Sequence, residues 1–117
     1  MPQLSFGEYS LLGDNIIEFL PNAGVEVDAA EALECRQVYK EIGPEVLILV
    51  NRSQPYSSTF EFIMSIMDSP ELKAIAIYAP NNISAIVADT QKPLSKVPFE
   101  RFHLRDEAIN WLKRHNT

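Results

Sequence analysis

The chain reads as an α/β protein on a mixed, mostly parallel sheet of about five strands with four helices, in the order β-β-α-β-α-β-α-β-α. Three observations lead there. Val46-Leu47-Ile48-Leu49-Val50 is a continuous β-branched and leucine run, and such a short run fits a strand covered on both faces. Lys73-Ala74-Ile75-Ala76-Ile77-Tyr78-Ala79 is a second buried-type run, closed by Pro80. Helical patterns alternate with these strands, which calls for right-handed crossovers between parallel neighbours. The 117 residues, 46% hydrophobic and 9% aromatic, make one domain, 1–117, able to form a core without disulfide or metal.

Leu4 to Leu12 is the first strand, Gly13-Asp14-Asn15 a turn, and Ile16 to Leu20 the second strand, ended by Pro21. So short a turn makes the pair an antiparallel hairpin. Asp28 followed by Glu31 is a capping box. Ala32, Cys35, Val38, Tyr39 and Ile42 then recur at helical spacing, and Gly43-Pro44 stops the helix. The strand Glu45 to Val50 is expected at the centre of the sheet. A polar loop follows, and a helix beginning near Ser57 or Ser58, where Ser58 with Glu61 gives a second capping-box pattern. Asp68-Ser69-Pro70 ends it. After the strand from Lys73, Asn81 or Asn82 caps a helix with Ile83, Ile86, Val87 and Thr90 on one side, closed by Lys92-Pro93. Phe99 to His103 is the last strand. Asp106-Glu107 open a final helix with Ala108, Trp111 and Leu112 inward and Lys113-Arg114 in its last turn, charges that suit the helix dipole.

The formal net charge of -6 and the pI of about 4.8 argue against a nucleic-acid partner and an anionic membrane surface, both of which need cationic groups. Cys35 is the only cysteine, so a reducing cytoplasm is expected. The start, Met1-Pro2-Gln3-Leu4-Ser5-Phe6-Gly7-Glu8, lacks a basic n-region and an apolar h-region. No apolar run approaches the roughly 18 residues of a membrane span. A soluble, cytoplasmic protein is the expectation.

No phosphate-binding glycine loop, nucleophile elbow or metal-ligand spacing occurs, so no catalytic residue, cofactor site or metal site is assigned and no enzyme is expected. Cys35 on an apolar helix face reads as an inert thiol, His103 as a strand-end residue, and Arg52 as a solvated arginine. The unusual segment is Phe60 to Met67, in which Phe60, Phe62, Ile63, Met64, Ile66 and Met67 are all apolar. Phe62 and Met64 point roughly 160° apart on a helix, so one buried face does not cover both. With Tyr56 in the preceding loop, Phe60, Phe62, Ile63, Met64 and Met67 form a candidate interaction surface, for a protein partner or a second copy of the chain. Coverage of the second side by neighbouring elements is the plain alternative.

The element order resembles the STAS fold, the anti-sigma-factor-antagonist type of domain, over nearly the whole chain. Two local patterns carry the resemblance: the strand, loop and serine-led helix from Leu47-Ile48-Leu49-Val50 through Ser57-Ser58, and the ending Phe102-His103-Leu104-Arg105-Asp106-Glu107-Ala108-Ile109-Asn110-Trp111-Leu112. The ending looks like that of small bacterial STAS-like proteins of uncharacterised function. In regulatory members of that family a serine in an Asp-Ser-Ser-Gly setting, at the start of the helix after the third strand, is phosphorylated. Here the place holds Tyr56-Ser57-Ser58-Thr59, with both serines but neither the Asp nor the Gly. Ser57 and Ser58 are therefore candidate phosphoacceptors or, on the plainer reading, helix cap and turn residues. The resemblance implies a non-enzymatic, self-associating or partner-binding regulatory module. Two alternatives stand beside it: a small-molecule or lipid-binding protein with an apolar pocket, by analogy with the CRAL-TRIO architecture, and a phosphoserine-regulated antagonist.

Overall fold

The computed structural model describes residues 3–116. The hairpin is made by β2 (Gly7–Leu11) and β3 (Ile16–Pro21), paired antiparallel, with β1 (Gln3–Leu4) folded back on β2. The expected first strand, Leu4 to Leu12, is thus two strands broken by a turn at Ser5–Phe6. Phe6 leaves the strand and enters the core, packing edge-on against Phe62 at 6.3 Å between ring centroids.

The helix α1 (Ala29–Ile42) starts at the expected capping box, in which Asp28 N donates to Glu31 Oε1 (2.7 Å). It ends where Gly43 takes φ 131, a backbone conformation that side-chain-bearing residues rarely adopt. Next come β5 (Val46–Asn51) and β7 (Leu72–Tyr78), followed at the edge by β8 (Phe99–Phe102). The main sheet has six strands in the order β1-β2-β3-β5-β7-β8, and its pairs from β3 to β8 are parallel. The expected central strand is central, and every residue of β5 is buried. The strand count exceeds the expected five because of β1 and of a second, two-stranded sheet. In that small sheet β4 (Glu26–Val27) runs parallel to β6 (Ser57–Ser58).

The alternation along β5 sorts the core into two layers. Val46, Ile48 and Val50 face a large cluster under α1 and α2 (Phe60–Met67), where Tyr39, Phe62, Ile63 and Met67 also pack. Leu47 and Leu49 face a smaller cluster under α4 (Arg105–His115), whose Ala108 and Leu112 point inward as expected. Trp111 is only half buried and packs at a tilt against His115, with ring centroids 4.1 Å apart.

The helix α3 (Asn82–Gln91), capped by Asn81 and continued by a 3-10 turn at Lys92–Leu94, departs from expectation. Ile83 and Ile86 are 78% and 64% exposed, and Val87 is exposed with them; Ala85, Ala88 and Gln91 are the buried residues. Small side chains let a helix lie close to the layer beneath, so the inward face is the alanine face. The hydrophobic pattern identifies which residues share a side but not which way that side turns. Left in water, Ile83 and Ile86 each forgo roughly 1.5–3 kcal/mol of burial.

Candidate functional site

Two polar sites flank the carboxyl end of β5, the region where open α/β sheets tend to place function. The last residue of β5, Asn51, follows Leu47 and Leu49 onto the α4 side. There Asn51 Nδ2 donates to Glu18 Oε2 (2.9 Å), and Arg105 Nε donates to the same oxygen (2.9 Å). Arg105 Nη2 donates to the other carboxylate oxygen, so the pair is bidentate. Glu18 sits on β3 and is 7% exposed. Burial alone raises its pKa, but the hydrogen bonds from Arg105 and Asn51 and the guanidinium charge hold it below the usual carboxylate value. Charge is matched here and both carboxylate oxygens are hydrogen-bonded, and a cleft of about 250 Å³ lies over the network.

The next residue, Arg52, continues the alternation to the opposite layer. It is not the solvated arginine expected, because its backbone N–H extends the sheet by donating to Tyr78 O (2.8 Å), which carries the side chain inward. Arg52 is 6% exposed. Its Nη2 donates to Gln91 Oε1 (2.6 Å), and it lies beside the Tyr56 hydroxyl, whose pKa is raised by burial against the lowering influence of the cation. Both neighbours are neutral. Among the described residues Arg52 has no carboxylate partner, and its Nε is buried without an acceptor.

Above Arg52 is a cleft of about 440 Å³ between the loop after β5 and α3, lined by Gln54, Pro55, Tyr56, Ser57, Ser58, Asn81, Ile83, Ser84, Val87 and Gln91. Its loop wall is pinned to the segment before α1. Pro55 O accepts from Gly24 N (2.7 Å), Ser57 N donates to Val25 O (3.0 Å), and Thr59 N donates to Val27 O (3.0 Å). Both walls are therefore held by secondary structure or by backbone hydrogen bonds.

The expected surface on Phe60 to Met67 is redistributed. Phe62, Ile63 and Met67 are buried core residues; Met64 and Tyr56 are half buried; Phe60 alone is well exposed, at 62%. Neighbouring elements cover the second side of the helix, Phe6 on β1's turn among them. Ser57 and Ser58 do not cap α2. They pair with Glu26 and Val27, and the cap is Thr59, whose Oγ1 accepts from Phe62 N (3.2 Å) while donating to Asp28 Oδ1 (2.7 Å). Thr59 therefore joins the starts of α1 and α2. Ser57 remains exposed at the cleft mouth, and Ser58 is half exposed beside it.

Cys35 is buried and its thiol is pushed up to about 12, chiefly by desolvation, with Glu34 adding to the rise. His103 is exposed just beyond β8, where its Nε2 lies 3.2 Å from Arg101 Nη1. Among the described residues no group of three metal-ligating side chains occurs, and no helix is long and apolar enough to cross a membrane.

Sequence reasoning missed Arg52, Gln91 and the outward face of α3. A signal for Arg52 was present, since 46, 48, 50 and 52 form one alternating set. Gln91 carried none, because its role depends on the turn of α3.

No family model and no curated protein matches the chain. Among solved structures, an uncharacterised protein of the DUF3478 family from Shewanella loihica PV-4, with a SpoIIAA-like fold, superposes with a TM-score of 0.64. The match covers 96% of this chain and 98% of the other at 12% identity. The fold is therefore the SpoIIAA-like one, the STAS-type arrangement that the element order resembles.

Proposed function

We propose that the chain is a non-enzymatic interaction module of a reducing cytoplasm that associates with a second copy of itself through the outer face of α3. The observation that supports this is the outward turn of Ile83, Ile86 and Val87. The charge pattern favours a second copy as the occupant. In a chain of net charge -6, α3 carries a single charged residue, Asp89, and that carboxylate is paired with Arg101 Nε at 2.7 Å. Two copies meeting there bring apolar surface together without like charges face to face. By contrast α1 carries Glu31, Glu34 and Glu41, and α4 opens with Asp106 and Glu107. A symmetric pair is the commonest way to cover such a patch. The surface lies one crossover beyond the helix that the sequence singles out, because α2 spends most of its apolar residues on the core.

Sedimentation velocity at high micromolar concentration tests the reading. The wild type sediments as a dimer, tightening modestly with salt as the net charges are screened. Ile86→Asp sediments as a monomer and still unfolds cooperatively, since Ile86 has no place in the monomer's core. A wild type that stays monomeric, or an Ile86→Asp dimer, removes the proposal.

A further inference from the structure

Arg52 is a buried cation with one charge unmatched. A guanidinium removed from water loses solvation, and the loss is recovered only through hydrogen bonds and an opposite charge. The hydrogen bonds are incomplete, because Nε has no acceptor, and the opposite charge is missing among the described residues. Arg105, one layer away, does have a carboxylate partner, in Glu18.

The cleft that opens over Arg52 has a divided lining. Tyr56, Ser84 and Gln91 are polar, with Ser84 in the first turn of α3 and Gln91, which holds Arg52, at its last residue. Ile83, Val87 and Pro55 are apolar. The volume of about 440 Å³ falls within the range of roughly 300–1,000 Å³ usual for small-ligand sites. We propose that this cleft binds a small organic anion, with a carboxylate or phosphate head on Arg52 and an aliphatic body against Ile83 and Val87.

The probes are octanoate, its neutral counterpart 1-octanol, and inorganic phosphate. They are titrated at low salt into the Ile86→Asp protein, so that self-association neither masks nor mimics binding. Ile86 does not line the cleft. The readouts are calorimetric affinity and the NMR resonance of the Arg52 Nε–H. Octanoate binds at least tenfold more tightly than octanol and moves the Arg52 Nε–H signal, and its affinity falls with salt. In Arg52→Met the two probes bind alike. Val87→Asp, which places a carboxylate in the cleft wall, weakens octanoate about tenfold. Octanoate binding no tighter than octanol, or an Nε–H signal unmoved at saturation, overturns the assignment. So does phosphate binding as tightly as octanoate, because the apolar wall then contributes nothing.

Discussion

Asn51 and Arg52 are neighbours in the chain and opposites in their surroundings. Asn51 turns toward α4 and completes a network in which Glu18 and Arg105 cancel each other's charge and both carboxylate oxygens of Glu18 are hydrogen-bonded. Arg52 turns toward α3, where its polar partners among the described residues are the neutral Gln91 and Tyr56, with its Nε unused. Both are buried polar sites at the end of one strand, and burial by itself does not distinguish them. Matching does: a closed network holds elements together, whereas an incomplete one under an open cleft is placed to receive something.

The largest effect is expected on the closed side. Glu18→Ala leaves Arg105 and Asn51 without their shared acceptor and should cost about 2–3 kcal/mol in urea unfolding, given that Arg105 is partly exposed and recovers some hydration. The same carboxylate sets an acid limb. Its folded pKa lies below the unfolded value, so its contribution is fully present above that value. The contribution is lost as pH falls from about 4.5 through the lowered folded pKa. Stability of Glu18→Gln should therefore decline less than that of the wild type over this window. Parallel acid profiles for the two proteins would show that the network does not couple to folding.

A smaller effect separates the residue that caps α2 from those beside it. Thr59→Ala removes a cap and the bond to Asp28, and should cost about 1 kcal/mol. Ser57→Ala and Ser58→Ala remove no cap and should each stay within about 0.5 kcal/mol of wild type. Equal losses at all three positions would place the helix start where the sequence pattern puts it.

These pairs also mark what was legible from the residues. The β5 run, the Asp28–Glu31 box and the stop at Gly43 rest on local periodicity and local hydrogen bonds, and each appears where the pattern places it. Ser57–Ser58 escaped because its partner strand is two residues long and lies about thirty positions earlier, with no periodicity to read. The orientation of α3 escaped because alanines inward and isoleucines outward give the same helical spacing as the reverse. Arg52 was readable as an inward position by alternation, but its company was not, since Tyr78 and Gln91 arrive from distant elements.

If Arg52 is held for binding and Glu18 for stability, the smallest expected effect separates the two most directly. Arg52→Met exchanges an unmatched buried cation for an apolar side chain of similar reach and forfeits the bond to Gln91. These contributions oppose each other. Urea unfolding of Arg52→Met beside wild type should give a stability within about 1 kcal/mol of the parent, or above it. A loss as large as that of Glu18→Ala would show that Arg52 is a structural residue and that the two sides of β5 do the same job.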